Sequence, residues 1–176
     1  DGSTDGTLCA LESTRDNRLK ILHRGHEGVA AASNAGLKIA QSAIIARMDA
    51  DDYAYPQRLQ KQIAILQQHS LDVVGCRVRI LNADNTASEG LQRYERWINE
   101  ETITPQQILA LRFVEFPLVN PTILARREYF EIGFSDNEFP EDYDLLLTAA
   151  ARGMKFGKVS DVLFDWLDHP SRLTRT

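Results

Sequence analysis

Apolar and polar positions along the first half of the chain fall into short packets whose period changes from one to the next. The stretch 7–16 predicts a short helix, and "RLKILH" at 18–23 alternates with the two-residue period of a strand. Between 28 and 41, "GVAAASNAGLKIAQ" is rich in Ala and returns its apolar residues at helical spacing. "AIIARM" at 43–48 is a short apolar run of the buried-strand type. Pro56 suits the first turn of a helix that carries Leu59, Ile63 and Leu66 and runs to about His69. "DVVGCRVRIL" at 72–81 is β-rich, and "NADNTASEG" after it predicts a loop.

The second half is less regular. Thr104 is placed to cap a helix over "PQQILALRF", and "PLVNPTILA" at 117–125 predicts an extended segment interrupted by Pro121. "PEDYDLLLTAAARG" at 140–153 predicts a buried helix, with Pro at its start, acids in its first turn and Gly at its end. Early alternation of strand and helix predicts an α/β fold with an open, mostly parallel sheet flanked by helices. Ligands of such sheets bind beyond the carboxyl ends of the strands. Two acidic loops fall at such ends, one at Asp1 and one at Asp49. The chain opens on "DGSTDGT", turn chemistry that ordinarily joins two elements, so at least one strand is expected ahead of Asp1.

Composition narrows the class. A chain of 176 residues with 43% hydrophobic and 26% charged residues is long enough for one globular domain with its own core. A formal charge of −5 argues against nonspecific attraction to nucleic acid or an anionic membrane. No apolar run approaches the roughly 18–20 residues that span a bilayer. Cys9 and Cys76 show neither metal spacing nor a disulfide framework, which points to a reducing compartment.

The most informative stretch is "ARMDADDYAYPQRLQ" at 46–60, where Asp49, Asp51 and Asp52 crowd into four residues. One explanation is a solvated loop with one acid capping the following helix. A calcium-binding EF-hand fails on spacing, since Ala54 stands where Gly is needed and Gln60 where Glu is needed. A third explanation is a Mg2+ or Mn2+ site, because these cations are held by one or two carboxylates with substrate phosphate oxygens completing the shell. His23 and His26 have metal-like spacing but straddle a strand end beside Gly25, and are read as incidental.

Four segments in order, "DGSTDGT" at 1–7, "GVAAASNAGL" at 28–37, "ARMDADD" at 46–52 followed by "PQRLQKQ", and "PEDYDLLLTAAARG" at 140–153, closely resemble the nucleotide-sugar-dependent glycosyltransferases of family 2. The resemblance runs over nearly the whole chain. It implies the GT-A fold, a Rossmann-like open sheet here lacking its first strands, in a single catalytic domain over 1–176. Residues 1–116 would form the nucleotide-sugar-binding half and 117–176 the acceptor-side half. It implies transfer of a sugar from a nucleoside-diphosphate sugar, UDP-linked by family prevalence, to a hydroxyl of a saccharide, lipid-linked or other acceptor. Transfer would proceed with inversion and with help from Mg2+ or Mn2+.

The resemblance also implies roles at matching positions. Asp1 would lie near the base or ribose, and Asn34, with Gly28 and Gly36 allowing close approach, would line the nucleotide pocket. Asp49 and Asp51 match the D-x-D pair, Asp51 as a metal ligand and Asp49 as a ribose or metal contact, while Asp52 supports the loop and Arg47 orients it. The family often carries Arg where Ser33 stands, so one phosphate contact is absent. Asp142, with Glu141 as alternate, matches the general base that deprotonates the acceptor hydroxyl. Late in the chain, His169 matches a metal or diphosphate contact, and Arg172 is placed to neutralise phosphate charge. A sugar nucleotidylyltransferase is the alternative, though no Gly-rich basic loop is visible near the start, and a non-catalytic sugar-nucleotide-binding domain is the other. Little activity is expected of the 176 residues in isolation. A cytoplasmic site is expected, or the inner face of a membrane reached through sequence outside the chain.

Overall fold

The computed structural model describes residues 1–82, 88–136 and 139–169. Its elements in chain order are α1 (Thr7–Ser13), α2 (Val29–Ile39), β1 (Ile44–Ala46), β2 (Tyr53–Ala54), α3 (Arg58–Gln68), β3 (Val73–Asn82), α4 (Glu89–Glu100) and α5 (Pro105–Leu111). A 3-10 turn (Asn120–Thr122) leads into β4 (Leu124–Arg126), α6 (Arg127–Phe130), α7 (Glu141–Ala151) and β5 (Phe156–Asp168). The described strands form one sheet in the order β1-β4-β3-β5-β2, flanked by helices, an α/β architecture as the patterning predicts.

β3 and β5 are its spine. They run parallel from Val73 opposite Phe156 to Asn82 opposite Asp168, with register shifts on either side of Arg77. The other pairings are antiparallel: β1 with β4, β4 with β3, and β2 with β5. The described sheet is therefore mixed rather than mostly parallel. The stretch 18–23 does not join it. Leu19, Ile21 and Leu22 are each about two-fifths exposed, and no described strand lies alongside to supply the ladder that strand patterning alone cannot provide.

Alternation along β3 sends Val73 into one apolar cluster and Val74, Cys76, Val78 and Ile80 into another on the opposite face. The first cluster joins Phe156 to Leu145, Leu146 and Ala149 of α7 and to Tyr129 and Phe130 of α6. It seats α7, so that this helix's N-terminus is held at the edge of the site. Where β5 passes Leu71 there is no room for a side chain: a Cβ at Gly157 would lie 2.4 Å from a Leu71 methyl.

Of the apolar set of α3, Leu66 is buried and Ile63 packs partly buried against the same core, while Leu59 is half exposed. Arg58 and Gln62 are buried beside them. Hydrogen bonding explains the buried polar pair. Gln62 Nε2 donates to the carbonyls of Val74 (2.7 Å) and Thr122 (2.8 Å), and Arg58 Nε donates to Gln62 Oε1 (3.0 Å). Arg58 Nη2 donates to the Arg47 carbonyl at 2.8 Å, and its guanidinium lies 5.0 Å from the Phe164 ring centroid. Satisfied donors and an aromatic face make burial of a charge tolerable.

A second buried cation braces the wall of the site. Lys158 Nζ donates to the carbonyls of Ile98 (2.6 Å) and Pro117 (3.1 Å) and to Thr102 Oγ1 on the α4–α5 connection (2.5 Å). Three acceptors call for three N–H groups, which only the ammonium form has. Burial opposes that charge and pulls the lysine down to about 7. A depressed lysine is fully charged, and costs most, below pH 7; the unfolded chain keeps its proton up to about 10.4. Stability from this group therefore rises between those limits, by up to about 1.4 kcal/mol per pH unit. Chemical denaturation of Lys158→Met beside the parent, from pH 7 to 9.5, is expected to show that rise only in the parent.

Candidate active site

Residues 47–52 form a loop held from three directions. The Arg47 backbone N–H donates to the Ile123 carbonyl at 2.8 Å, and the Arg47 carbonyl accepts from Arg58 as described above. Asp52 Oδ1 accepts from the Leu167 N–H at 2.8 Å, which ties the loop to β5. So braced, the loop directs Asp49 and Asp51 differently. Asp49 Oδ1 is 2.8 Å from Arg47 Nη1, while Asp51 Oδ2 is 2.9 Å from His169 Nε2. His169 lies directly after β5, 118 residues along the chain, and the antiparallel pairing of β2 with β5, Tyr53 opposite Asp165, is what brings the two together.

Opposite the loop stands the N-terminus of α7, with Glu141, Asp142 and Asp144 in its first turn. A positive helix end favours the charged form of a carboxylate, yet Asp142 moves the other way. Burial pushes it up to about 6, and the neighbouring Glu141 carboxylate adds to the rise. The backbone N–H groups of Tyr143 and Asp142 and the Arg47 guanidinium pull against this without prevailing. Asp142 is thus a half-buried carboxyl poised near neutrality.

Two adjoining clefts, of about 700 and 820 Å³, meet at the acidic loop. Val29, Arg47, Asp49, Ala50 and Glu141 line both. The smaller cleft also holds Asp51, His169 and Asp142, and the larger holds Asp1, Gly28 and Ser33. His26, set aside on spacing, lines the larger cleft with Nδ1 3.5 Å from Asp1 Oδ2.

Other sequence candidates are placed less simply. The Asp1 carboxylate accepts from the backbone N–H groups of Glu27 (2.8 Å) and Gly28 (3.1 Å), tying the opening loop to the start of α2. Gly28 itself has φ +90°, a conformation favouring glycine. Asn34 lines neither cleft. Its Nδ2 donates to the Phe134 carbonyl at 2.7 Å and its Oδ1 accepts from the Phe134 N–H at 2.9 Å, so its amide joins α2 to the segment before α7. Gly36 lies two residues further along α2, exposed, with nothing within 4 Å of a Cβ added there. Neither residue lines either cleft. Replacing Asn34 by Ala is expected to cost about 2 kcal/mol of stability, roughly 1 per hydrogen bond, with nucleotide affinity unchanged; thermal unfolding and calorimetry check the two halves. Arg172 lies outside the described residues.

A divalent cation held here would have to share its shell with a substrate. Among the described residues no group of three His, Cys, Asp or Glu side chains converges. Asp51 and His169 offer one carboxylate oxygen and one imidazole nitrogen at the same point, leaving most of a six-coordinate shell for phosphate oxygens and water. Arg47 Nε is buried without an acceptor among the described residues, a donor that an incoming phosphate oxygen would satisfy.

Two elements that build the site have no counterpart in the hydropathy patterning above: α4 and most of β5. Ser88 Oγ accepts from Leu91 N at 3.3 Å as an N-cap, and Leu91, Tyr94 and Ile98 recur at helical spacing. Those signals were available. From α4 comes Tyr94, and from β5 Trp166, both in the wall of the smaller cleft.

The model of glycosyl transferase family 2 matches residues 1–134, more than half of the chain. The uncharacterized glycosyltransferase EpsJ of Bacillus subtilis is 25% identical over 195 residues, covering 99% of this chain and 52% of that protein. The O-antigen biosynthesis glycosyltransferase WbnJ of Escherichia coli is 27% identical, covering 88% of this chain and 59% of that protein. The chain spans about half the length of the curated relatives it matches. Among solved structures, S. aureus TarS 1–349 in complex with UDP-GlcNAc superposes with a TM-score of 0.70 at 21% identity, over 97% of this chain and 48% of that one. The mannosyltransferase PcManGT from Pyrobaculum calidifontis, in complex with GDP-Man and Mn2+, gives 0.66 at 22%, over 93% and 45%. Both likenesses are of fold.

Proposed function

The chain belongs to glycosyltransferase family 2, and on that premise we propose that its two clefts bind a nucleoside-diphosphate sugar and an acceptor on either side of the Asp49–Asp51 loop. The supporting observation is the convergence at one place of a D-x-D loop, an imidazole, and a carboxyl raised to about 6. The nucleotide occupies the larger cleft, beside Asp1 and Ser33. Its diphosphate lies against Arg47 and the acidic loop, where Asp51 and His169 would hold Mg2+ or Mn2+. A cation bound there supplies charge neutralisation to the departing diphosphate. Asp142 accepts the proton of the acceptor hydroxyl as that oxygen attacks the anomeric carbon, and Glu141 keeps Asp142 basic enough to do so. With base and leaving group on opposite sides of the sugar, the displacement inverts the anomeric centre.

UDP is the proposed carrier. Complexes of fold relatives with UDP-GlcNAc and with GDP-Man make the base a matter for assay. No described helix is long and apolar enough to cross a membrane, and a cytoplasmic site, or one at a membrane's inner face, remains the proposed location. Assay of the full-length protein with UDP- and GDP-sugars and Mn2+ tests the proposal: product of inverted configuration supports it. Pyrophosphate release from a sugar phosphate and a nucleoside triphosphate would favour a nucleotidylyltransferase instead.

A further inference from the structure

From Val78 onward β3 has no described strand on the edge away from β5, because β4 pairs only with Val73 and Val74. Side chains of α4 take over that edge. Asn99 Oδ1 accepts from the Val78 N–H at 3.0 Å and Asn99 Nδ2 donates to the Val78 carbonyl at 2.7 Å. Glu95 Oε2 accepts from the Ile80 N–H at 2.7 Å. α4 is thereby fixed in rotation, with Tyr94 facing the smaller cleft. Trp166, opposite Ile80 on β5, meets it: their ring centroids are 5.9 Å apart with planes at 54°, and Trp97 supports Tyr94 from behind at 6.0 Å. Tyr94 and Trp166 line the same cleft as Asp142.

We infer that Tyr94 and Trp166 form a stacking platform for a pyranose ring, which makes the acceptor a saccharide. The inference rests on the assignment of the smaller cleft as the acceptor side. A pyranose has one face of C–H groups, which suits aromatic planes, and a rim of hydroxyls that needs polar partners. Glu115 and Asn120, in the same cleft, supply a carboxylate and an amide for that rim. A lipid chain would instead bury these polar groups without hydrogen bonds. Nucleobases also stack on aromatic rings, but the platform belongs to the cleft that lacks Asp1 and the start of the chain. Rings held by backbone-anchored side chains need no ordering on binding, which favours a rigid acceptor face.

Saturation-transfer NMR on the full-length protein, with cellotriose, chitotriose and maltotriose as probes and sorbitol as the acyclic control, tests this, with UDP binding measured by calorimetry on the same samples. The expected result is signal on pyranose ring protons from at least one trisaccharide and none from sorbitol. Tyr94→Leu and Trp166→Ala should each weaken that binding about ten-fold or more, Trp166→Phe should retain most of it, and UDP affinity should be unchanged throughout. Tyr94→Leu, which keeps an apolar residue on α4, serves where Trp166→Ala does not fold. No trisaccharide signal, equal signal from sorbitol, or displacement of the sugar by UDP would overturn the inference. UDP binding without sugar binding would sink the platform and leave the donor reading standing; sugar binding without UDP binding would do the reverse.

Discussion

Replacing Asp142 by Asn in the full-length protein is expected to lower kcat for sugar transfer by about 10²–10⁴-fold, the range of a lost general base, while UDP affinity stays within two-fold. The carboxyl's environment gives this expectation a signature that a merely structural residue would not share. With Asp142 raised to about 6, kcat should climb as pH rises through that value and level off above it. Glu141→Gln removes one of the two influences that raise Asp142, so the inflection should move to lower pH. The stability sign runs opposite to activity. Between about pH 3.8 and 6 the folded chain holds a proton that the unfolded chain has released, so stability falls as pH rises through that window. Asp142→Asn should therefore stabilise the protein at pH 7, by about 1 kcal/mol after allowance for solvent screening. An inactive variant that melts higher is what a strained catalytic position predicts. An Asn variant that keeps its rate, or a pH profile without an inflection near 6, would remove Asp142 from the mechanism.

The second large effect concerns Asp51. Asp51→Asn keeps the shape of the side chain but would deprive the proposed cation of a charged oxygen. Transfer in the presence of Mn2+ is expected to fall by about 10³-fold or more, corresponding to the several kcal/mol that charge neutralisation of a leaving group supplies. His169→Ala should act in the same direction more weakly, since an imidazole is replaceable by water in a hard cation's shell. Asp49→Asn should behave differently from both. Its partner is the Arg47 guanidinium at 2.8 Å, so its loss releases Arg47 and is expected to raise the donor KM more than it lowers kcat. Titrating Mn2+ against initial rate for the three variants separates these roles: shifted metal dependence for Asp51 and His169, and an unshifted one for Asp49.

Much of this site is legible in the sequence because its chemistry is local. Asp49, Asp51 and Asp52 are adjacent, and the acids of α7 follow Pro140 directly, so spacing alone draws attention to them. What spacing cannot carry is the choice of partner. Asn34 has the residue type of a ligand contact, but its amide is taken up by Phe134, a hundred residues away. Arg58 and Gln62 look like the solvent face of an amphipathic helix and are instead buried beside Leu66, because Val74, Thr122 and Arg47 present carbonyls there. Both cases turn on long-range hydrogen bonds, which leave no periodic trace. β5 illustrates a different limit. Its exposed stretch at Ser160–Val162 interrupts the alternation where the register shifts against β3, and a broken period does not read as one 13-residue strand. The consequence reached the site itself, since β5 carries Trp166 and delivers His169.

The proposed mechanism needs one divalent cation site, shared by the two clefts, at the junction of the acidic loop and the end of β5. Crystals of the full-length protein grown with UDP and Mn2+, and measured for manganese anomalous scattering, test it most directly. A single strong peak bonded to Asp51 and His169 is expected, with the diphosphate completing its shell and Asp142 facing it across the smaller cleft. A well-ordered UDP whose diphosphate lies away from Asp51, or a manganese peak elsewhere in the protein, would contradict it.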